Sequence, residues 1–437
     1  MTICKQIAFG FSSCKSRKVL ADFNGGDVTS DGGVLLLRQV DRRLGLTRRL
    51  SRILKDRRRQ GSCDHDQLRL LRQRIYALAL GYEDINDHET LRGDVALQTA
   101  VEADKILAGA STLCRWENRA DRETARQISE WLIELFIKSF KKPPEELILD
   151  PDATDDPVHG KQEGRFFHGY YDHYCFLPLY VFCGEKLLVS YLRPSNIDAS
   201  KHAWAILSLL VKRFREEWPG VKIIIRGDSG FCRWRMLSWC EKHNVGYIIG
   251  VAKNSRLNDK ASALMEKARS QYETSGEKQR LFSEISYAAY TWDRERRILV
   301  KAEYGEQGSN PRYVATNLSG DPQKLYDGTY CARGDMENRI KEQQLDLFSD
   351  RTSCTKWWAN QFRMLLSALA YVLLQTLRSI ALKGTELAKA QCGTIRLKLL
   401  KIGAVIIRNT RRIVFHLSGA YPYQKIFLVA VKRLSSA

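Results

Sequence analysis

The stretch that most constrains this chain spans residues 145 to 160, where a short apolar run leads directly into acidic residues. Residues 147 to 149 are too few for a helix, so they indicate a buried strand that ends at Asp150. Because Pro151 lacks a backbone N–H, we expect the chain to leave its hydrogen-bonded ladder beyond Asp150. The stretch therefore predicts a sheet with a carboxylate at the end of a central strand.

Four aspartates crowd into seven residues of this stretch: Asp150, Asp152, Asp155 and Asp156. Carboxylates this close repel one another unless they are solvated or share cations, and their oxygens suit hard ions such as Mg²⁺ and Mn²⁺. A solvated acidic turn is the better explanation when the stretch is taken alone. A metal site would need further carboxylates from elsewhere in the chain.

A second strand end supplies one of them. Residues 221 to 225 form a β-branched run that leads to Asp228, and Glu337 lies farther on in a predicted helix. Two-metal phosphoryl transfer requires carboxylates from different elements to hold two ions roughly 3.5 to 4 Å apart. Together with the aspartates of the first stretch, Asp228 and Glu337 are therefore candidate catalytic and metal-binding residues.

The charge balance of the chain points to a polyanionic partner. Lys and Arg number 70 against 50 Asp and Glu, a net charge of +20, which favours nucleic acid ahead of an anionic membrane. The 437 residues exceed what one core usually holds, so we expect more than one domain. A hydrophobic content of 44% and a charged content of 27% are typical of soluble globular proteins.

The sequence favours a cytoplasmic location. Eleven cysteines without a Cys-x-x-Cys pair indicate neither a zinc ribbon nor a disulfide framework. Residues 1 to 11 lack the hydrophobic length of a signal peptide, and the longest apolar run, residues 364 to 377, is too short to span a bilayer. We therefore expect this run to lie in a core helix and the protein to have no membrane contact.

Residues 1 to 142 are expected to form an extended arm, up to about residue 30, and then a helical region that binds nucleic acid. Leu46 and Leu50 recur at helical spacing, while Arg48, Arg52 and further basic residues up to Arg59 fill the other face. Such a face can follow a phosphate backbone, and a solvated helix is an equal alternative. Further helices are expected at residues 94–104, 111–118 and 122–141, and one capped by Asp64 or Asp66 that ends near Gly81.

The helix at residues 111 to 118 is a candidate recognition helix. Behind a capping Ser111 it carries Thr112, Arg115 and Asn118, which are side-chain types that reach base edges. Packing against neighbouring helices is the commoner role of such a segment. Two lysines and two prolines at residues 141 to 144 then break the helical pattern and mark a domain boundary.

Alternating strand and helix patterns beyond this boundary predict an α/β fold with a mixed sheet. Strands are expected at residues 146–150, 174–183, 186–193, 221–225 and 246–252, and helices at residues 199–218, 234–243, 334–346 and 357–382. We expect a catalytic core at residues 143–253 and 330–390, a β-rich insertion at residues 254–329 and a basic C-terminal region at residues 391–437.

Motifs along nearly the whole chain match one known family: Thr29-Ser30-Asp31-Gly32-Gly33, Asp152-Ala153-Thr154 with His159-Gly160, Gln162-Glu163-Gly164 and Gly419-Ala420-Tyr421-Pro422-Tyr423. With these motifs the chain resembles the DDE transposases of bacterial insertion sequences, and most closely the group named after insertion sequence 1380. The resemblance implies an RNase H-like catalytic core in which one Asp leaves the first strand, another leaves the fourth, and a Glu lies on a helix beyond an insertion. Asp152 or Asp150, Asp228 and Glu337 match that order.

A third motif adds candidate DNA contacts. Tyr330, Arg333 and Glu337 match the Tyr-Arg-Glu part of a signature in the related insertion-sequence-4 superfamily, whose following Lys is replaced here by Gln344. Lys341, one helical turn beyond Glu337, is the candidate substitute. The resemblance implies that Arg333 and Lys341 contact phosphate near the scissile bond, for which the fork of Arg is well suited. Tyr330 is either a packed aromatic or a DNA contact.

The first catalytic aspartate is a choice between two residues. Strand alternation places Asp150 and Asp152 on one face, so periodicity does not separate them. Asp150 directly ends the apolar run, whereas the family pattern, with Thr or Ser shortly after the Asp, favours Asp152. We therefore expect Asp152 to be the catalytic carboxylate and Asp150 to be a supporting or alternative ligand.

The resemblance also implies what the protein works with. It implies two Mg²⁺ ions, which Mn²⁺ can replace, and double-stranded DNA as the partner, both as terminal inverted repeats and as target. It further implies a homodimer assembled on DNA in the nucleoid of a bacterial cytoplasm. The predicted function is a transposase that nicks DNA and joins its 3′-OH ends to target DNA. A nuclease without strand transfer and a DNA-binding repressor with an inactive core are the alternatives.

Overall fold

The computed structural model describes residues 8–435. The helices are α1 (Val34–Leu44), α2 (Leu46–Ile53), α3 (Gln67–Leu80), α4 (His88–Leu91), α5 (Val95–Val101), α6 (Ala110–Glu117), α7 (Arg122–Lys138), α8 (Ala203–Glu217), α9 (Trp234–Lys242), α10 (Ser255–Ser275), α11 (Pro322–Lys324), α12 (Gly334–Lys341), α13 (Trp357–Thr376), α14 (Cys392–Ile395) and α15 (Gln424–Ser435). The strands are β1 (Phe9–Cys14), β2 (Arg17–Ala21), β3 (Asp27–Thr29), β4 (Glu146–Ala153), β5 (Asp156–Pro157), β6 (Phe166–His168), β7 (His173–Phe176), β8 (Leu179–Cys183), β9 (Lys186–Tyr191), β10 (Lys222–Gly227), β11 (Gly246–Val251), β12 (Gln279–Tyr287), β13 (Arg296–Gly305), β14 (Gly308–Ser309), β15 (Arg312–Thr316), β16 (Ala404–Arg408) and β17 (Ile413–Leu417).

These elements divide between two compact units. The first unit comprises the described residues through Arg119, residues 346–348 and the described residues from Leu369 onward. The second comprises residues 120–345 and 349–368. Each candidate carboxylate of the sequence, from Asp150 to Glu337, therefore belongs to the second unit.

A nine-stranded sheet dominates the second unit, in the order β12-β13-β15-β11-β10-β4-β8-β9, with β14 beside β13. The three strands β4, β10 and β11 run parallel, and the strands on either side of them pair antiparallel. Because parallel strands end at the same edge, the residues that follow β4 and β10 come close together. The prediction of a mixed α/β sheet is confirmed.

Alternating residues of the central strands divide the core between the two faces of the sheet. Ile223 and Ile225 of β10 lie in a large cluster with apolar residues of α7, α8, α9 and α10. Ile224 instead lies in a smaller cluster that includes Ile248 and Tyr326. This two-residue period on both faces explains why the three isoleucines 223 to 225 follow one another without a polar residue between them.

The expectation that Pro151 releases the chain is wrong on one side of β4. The parallel ladder with β10 ends at the Leu149–Ile225 pair, but the antiparallel ladder with β8 continues through Pro151 and Asp152 as far as Ala153. Proline is tolerated there because pairing on the β10 side has already ended, which is the edge condition under which sheets accept proline. Asp152 is consequently held inside a strand.

The segment at residues 254 to 329 begins with a helix that the sequence reading did not predict. Helix α10 is N-capped by Asn254, whose side chain accepts a hydrogen bond from the Leu257 amide, and it is C-capped by Gly276 in the left-handed conformation. The β structure expected in this segment follows as β12, β13 and β15, which extend the large sheet beside β11. Only three residues of α10 are buried, so its apolar periodicity is weak. The sequence signal that could have predicted this helix is its pair of capping residues.

The first unit combines the helices α1 to α6 with a three-stranded sheet, β17-β16-β3. The predicted helix that ends at Gly81 is confirmed as α3, with Asp66 rather than Asp64 as its N-cap.

The arm forms the hairpin β1–β2, while residues 1–7 lie outside the described part of the chain. Helix α2 ends at Ile53, so Arg59 is not on its basic face as expected, because the chain turns extended at Leu54.

The Asp31-Gly32-Gly33 motif is a docking point within the first unit. The amides of Gly32 and Gly33 donate to the carbonyls of Ile402 and Leu400 at 2.9 and 3.1 Å. A Cβ on Gly33 would lie 2.0 Å from the Leu399 carbonyl oxygen, so only glycine fits there. The motif therefore holds the start of α1 against the C-terminal part of the chain.

The most apolar helix is longer than the run that the sequence marked. Residues 357 to 381 form one continuous helix, of which α13 is the main part, and it is long and apolar enough to cross a membrane. However, 83% of its most apolar window is buried inside the protein. It is a core helix, as predicted.

Candidate active site

Asp150 is fully engaged by an arginine. Its two oxygens accept hydrogen bonds from Nε and Nη2 of Arg226 at 2.6 and 2.7 Å, and Nη1 of Arg226 donates to the Thr329 carbonyl at 2.7 Å. The carboxyl is buried, and burial raises the pKa of Asp150 more than the adjacent guanidinium lowers it. Asp150 therefore serves as one half of a buried ion pair, in which each of its oxygens already accepts a hydrogen bond from Arg226.

Asp152, two residues on, has a different environment. Its carboxyl is 16% exposed, and its nearest cation is Arg333, with Nη1 at 3.8 Å from Oδ1. Burial, together with the negative charges of Asp228 and Glu337, raises the pKa of Asp152 to about 7 against the opposing effect of Arg333. Two carboxylates from other elements, Asp228 and Glu337, thus act on the carboxyl of Asp152.

Asp228 directly follows β10 and begins a 3₁₀ turn, Ser229–Phe231, where its side chain accepts from the Gly230 amide at 2.9 Å. Tyr330 lies against this turn. A Cβ on Gly250 would be 2.6 Å from the Tyr330 hydroxyl and 3.1 Å from the Ser229 nitrogen, so glycine makes room for both. Burial and the charge of Asp228 raise the pKa of Tyr330. Its ring packs against the smaller core cluster, and its hydroxyl lies beside Gly250, next to the turn that begins with Asp228.

Glu337 lies on α12 with its carboxyl 49% exposed. Nη2 of Arg333 is 2.7 Å from its Oε1, so Arg333 stands between Glu337 and Asp152. Lys341 lies one turn farther along α12 with an exposed side chain. Arg333 balances part of the negative charge, and Lys341 remains available to an anion that approaches this helix.

Gln344, which occupies the position of the signature lysine, has a supporting contact instead. Its Nε2 donates to the Asp155 carbonyl at 3.0 Å. The Asp155 side chain in turn lies 3.0 Å from Nε2 of His173. Gln344 therefore holds the segment that follows Asp152 in place. A side-chain amide can donate this hydrogen bond as well as a lysine could.

The donor set suits a hard divalent cation. Asp152, Asp228 and Glu337 offer carboxylate oxygens, and a cation among them would relieve the repulsion that helps to raise the pKa of Asp152. Between residues 8 and 435, no three Asp, Glu, His or Cys side chains form a finished metal cage. The three carboxylates are thus neighbours whose chemistry fits metal ions, without a preformed coordination sphere.

A family model for the Transposase DDE domain group 1 matches residues 11–437. The chain belongs to the DDE transposases. Enzymes of this family catalyse DNA transposition and generally use divalent metal ions. No match was found among curated protein sequences. Among solved structures, a cryo-EM structure of a piggyBac transposase synaptic complex with hairpin DNA is similar over 85% of this chain and 80% of that chain, with 11% identity and a TM-score of 0.41.

The candidate DNA contacts outside the acidic centre lie in the first unit of this DDE transposase. Arg48 and Arg52 are exposed on α2, whose Leu46 and Leu50 are buried. Arg115 is exposed on α6.

The predicted cap of α6 is wrong, because the helix begins at Ala110 and is capped two residues earlier than expected. Its N-cap is Gly109 rather than Ser111. Asn118, expected to reach bases, donates instead to the Cys114 carbonyl at 2.9 Å. Arg115 and the half-buried Thr112 are the residues of the predicted set that still face outward.

Several residues of the transposase site were not predicted from the sequence. Arg226 had a signal, since a charged residue that ends an isoleucine run in a buried strand requires an acidic partner. Gly250 had none, because its importance depends on Tyr330, which is 80 residues away. Tyr171 lies near Asp152 and Asp155, whose charges together with burial raise the pKa of Tyr171 to about 12. Its signal was the density of aromatic residues around it.

Proposed function

We propose that this DDE transposase mobilises an insertion sequence of the insertion-sequence-1380 group by cleaving its ends and joining them to target DNA. The supporting observation is that Arg333 lies 3.8 Å from Asp152 of β4 and 2.7 Å from Glu337 of α12, while Asp228 follows β10, the parallel neighbour of β4. The order β9-β8-β4-β10-β11, with β4, β10 and β11 parallel, supports an RNase H-like core.

Asp152, Asp228 and Glu337 are the proposed ligands of two Mg²⁺ ions, which Mn²⁺ can replace. Bound ions would polarise the phosphate and lower the pKa of the attacking water or 3′-OH. Arg333, fixed between two of the carboxylates, is placed to donate to a phosphate oxygen that enters the site. Lys341 would extend this contact along the strand, and Tyr330 would orient Arg333 and the Asp228 turn.

The decisive experiment is cleavage and joining of defined DNA ends. Inverted repeats are identified by sequencing the DNA that flanks the gene, and a duplex with these ends is incubated with the protein and Mg²⁺. We expect nicked and joined products from the natural chain, whereas Asp228→Ala and Glu337→Ala should abolish cleavage and keep nearly full binding. Retained cleavage in either variant would contradict the carboxylate assignment.

The same assay separates the alternative functions. Cleavage without joined products would identify a nuclease without strand transfer. Sequence-specific binding without cleavage by the natural chain would identify a repressor with an inactive core. Both alternatives retain DNA binding, so only the products distinguish them.

We infer that the first unit supplies most of the sequence-specific DNA binding, with Arg48, Arg52 and Arg115 in contact with phosphates or bases. The double variant Arg48→Ala/Arg52→Ala should weaken binding to all duplexes. It should also make the slope of log affinity against log salt shallower by roughly two, because each phosphate contact accounts for about 0.9 released counterions. Fluorescence anisotropy over a salt series measures both effects. The control is Arg269→Ala, because Arg269 is already paired with Glu273 at 2.8 Å. An equal change in the control would refute a specific role for α2.

We further propose a homodimer assembled on DNA in the nucleoid of a bacterial cytoplasm. The hairpin β1–β2 supports the dimer, because Phe11 and Leu20 are 61% and 65% exposed on a two-stranded element that residues 8–435 leave uncovered. Isolated hairpins are marginal in water, so a second copy is a suitable cover. Light scattering of the DNA complex reports the stoichiometry, and a complex with one protein chain would exclude the dimer.

A further inference from the structure

Eight of the eleven residues from 166 to 176 have aromatic rings: Phe166, Phe167, His168, Tyr170, Tyr171, His173, Tyr174 and Phe176. In the structure this segment is a hairpin, here called the aromatic hairpin. Strands β6 and β7 pair through Phe167–Tyr174 and His168–His173, and Asp172 takes the left-handed conformation in the turn. No step of the proposed reaction has so far used these rings.

Four of the eight rings of the aromatic hairpin are exposed to water. Tyr170 is 85% exposed, Phe167 52%, Tyr174 47% and Phe166 42%, whereas Phe176 is buried. Phe176 packs edge-on against Trp357 at 5.5 Å between ring centroids, which anchors the base of the hairpin. The exposed rings add nothing to that core and are not covered by the rest of residues 8–435, so they form an apolar surface suited to a binding partner.

The exposed rings are held by one another in fixed orientations. Tyr170 and Tyr171 are edge-to-face at 5.0 Å, and Phe167 and Tyr174 are edge-to-face at 5.7 Å. In such a pair one ring offers only its edge, so its own face stays open to another planar group. The guanidinium of Arg165 lies over the Tyr174 ring at 4.4 Å, which adds a positive charge beside the open faces.

The aromatic hairpin adjoins the proposed catalytic aspartate. Its strand β7 pairs with β5, which begins at Asp156, only four residues after Asp152. Nε2 of His173 lies 3.0 Å from the Asp155 carboxylate, and Gln344 holds the Asp155 carbonyl. A strand of DNA whose phosphate reaches Asp152 would therefore pass beside these rings.

We propose that the aromatic hairpin stacks an unpaired base of the DNA strand next to the phosphate at Asp152, with Tyr170 and Phe167 as the stacking rings. This inference rests on the proposed function, because it takes DNA to be the substrate. Bases in an intact duplex already stack on both faces, so an exposed protein ring gains from a base only when that base leaves the helix. A protein docked on the same rings would cover the acidic centre, which favours nucleic acid as the occupant.

The test measures binding in EDTA, so that it does not depend on cleavage. The full chain is titrated onto a fully paired duplex and onto the same duplex with one unpaired 2-aminopurine, whose fluorescence is quenched on stacking. Tyr170→Leu keeps an apolar side chain without a π-face, Tyr170→Phe keeps the ring, and Tyr290→Leu is the control at a tyrosine that is 98% exposed on another loop. Because Tyr170 is exposed, none of these changes should disturb folding.

We expect Tyr170→Leu to lose the quenching and about tenfold in affinity for the unpaired probe, with unchanged affinity for the paired duplex. Tyr170→Phe and Tyr290→Leu should behave as the natural chain does. Equal losses on both probes, or no loss, would overturn the proposal. A change in the oligomeric state of the DNA-free protein caused by Tyr170→Leu would also overturn the proposal, because the hairpin would then be a protein interface. If stacking is found but the natural chain never cleaves DNA, the proposed function fails and the binding site stands.

Discussion

Replacing Asp152 by asparagine is expected to abolish metal-dependent DNA cleavage and, at the same time, to stabilise the metal-free protein at alkaline pH. Loss of a carboxylate that bridges two ions should reduce the cleavage rate by several orders of magnitude. The gain in stability follows from the environment of this carboxyl, which is poorly solvated and lies near Asp228 and Glu337. Asparagine has nearly the same shape and carries no charge.

The sign of the effect follows from the raised pKa of Asp152. The pKa is about 7 in the folded protein, against roughly 3.9 for an unfolded Asp. Between these values the folded state binds more protons, so the natural chain loses stability as pH rises through this window. Asp152→Asn removes that loss. Its melting temperature in EDTA should therefore exceed that of the natural chain at about pH 8 and equal it at about pH 4.

Asp150→Asn is the matched control. Asparagine offers Arg226 only one acceptor oxygen and leaves its buried guanidinium without a counter-charge, so this variant should melt at a lower temperature at neutral pH. Adding Mn²⁺ should raise the melting temperature of the natural chain and have little effect on Asp152→Asn. If Asp152→Asn cleaves better than Asp150→Asn, or melts below the natural chain at alkaline pH, the two roles must be exchanged.

The parts of the fold that the sequence predicted are those with local signals. The α3 helix is marked by Asp66 and Gly81, and β10 is marked by its isoleucine run, so their types and approximate limits could be predicted. The carboxylates at strand ends were also visible, because a polar residue directly after a buried strand is a local pattern. Their convergence was implied by the resemblance to DDE transposases, and the parallel pairing of β4 with β10 that produces it is seen only in the structure.

The parts that the sequence did not predict depend on contacts between distant segments. Whether β4 stops at Pro151 is decided by β8, which keeps pairing there after β10 has stopped. Arg226, 76 residues beyond Asp150, pairs with Asp150 and not with Asp152, and this pairing determines which of the two carboxylates is available for metal or DNA. The expected C-terminal region contributes β16, which pairs with β3 near the start of the chain. Such pairings depend on the packing of the whole unit, which composition and periodicity do not describe.

The second large effect is expected at Arg226, which we predict to be a stability residue. Arg226→Met should cost about 3 to 5 kcal/mol of unfolding free energy, because it leaves the Asp150 carboxylate buried and unpaired. Arg226 also donates to the Thr329 carbonyl at 2.7 Å, just before the turn that carries Tyr330 and Arg333. Cleavage should therefore fall along with stability.

Two comparisons separate a buried unpaired charge from simple loss of packing. The double variant Asp150→Leu/Arg226→Met removes both charges, so it should recover much of the lost stability. Arg213→Met breaks a pair of Arg213 with Glu134 whose side chains are 31% and 36% exposed, and it should cost at most about 1 kcal/mol. Urea unfolding followed by tryptophan fluorescence gives all three values.

The cost of Arg226→Met should also depend on pH. Burial already raises the pKa of Asp150 in the presence of Arg226, and loss of the guanidinium must raise it further. Since the folded variant can then take up a proton as pH falls, its deficit should be smaller at about pH 5 than at about pH 8. A deficit that is independent of pH, and that the double variant does not reduce, would mean that packing around β4 and β10, and not the charge pair, sets the stability of this site.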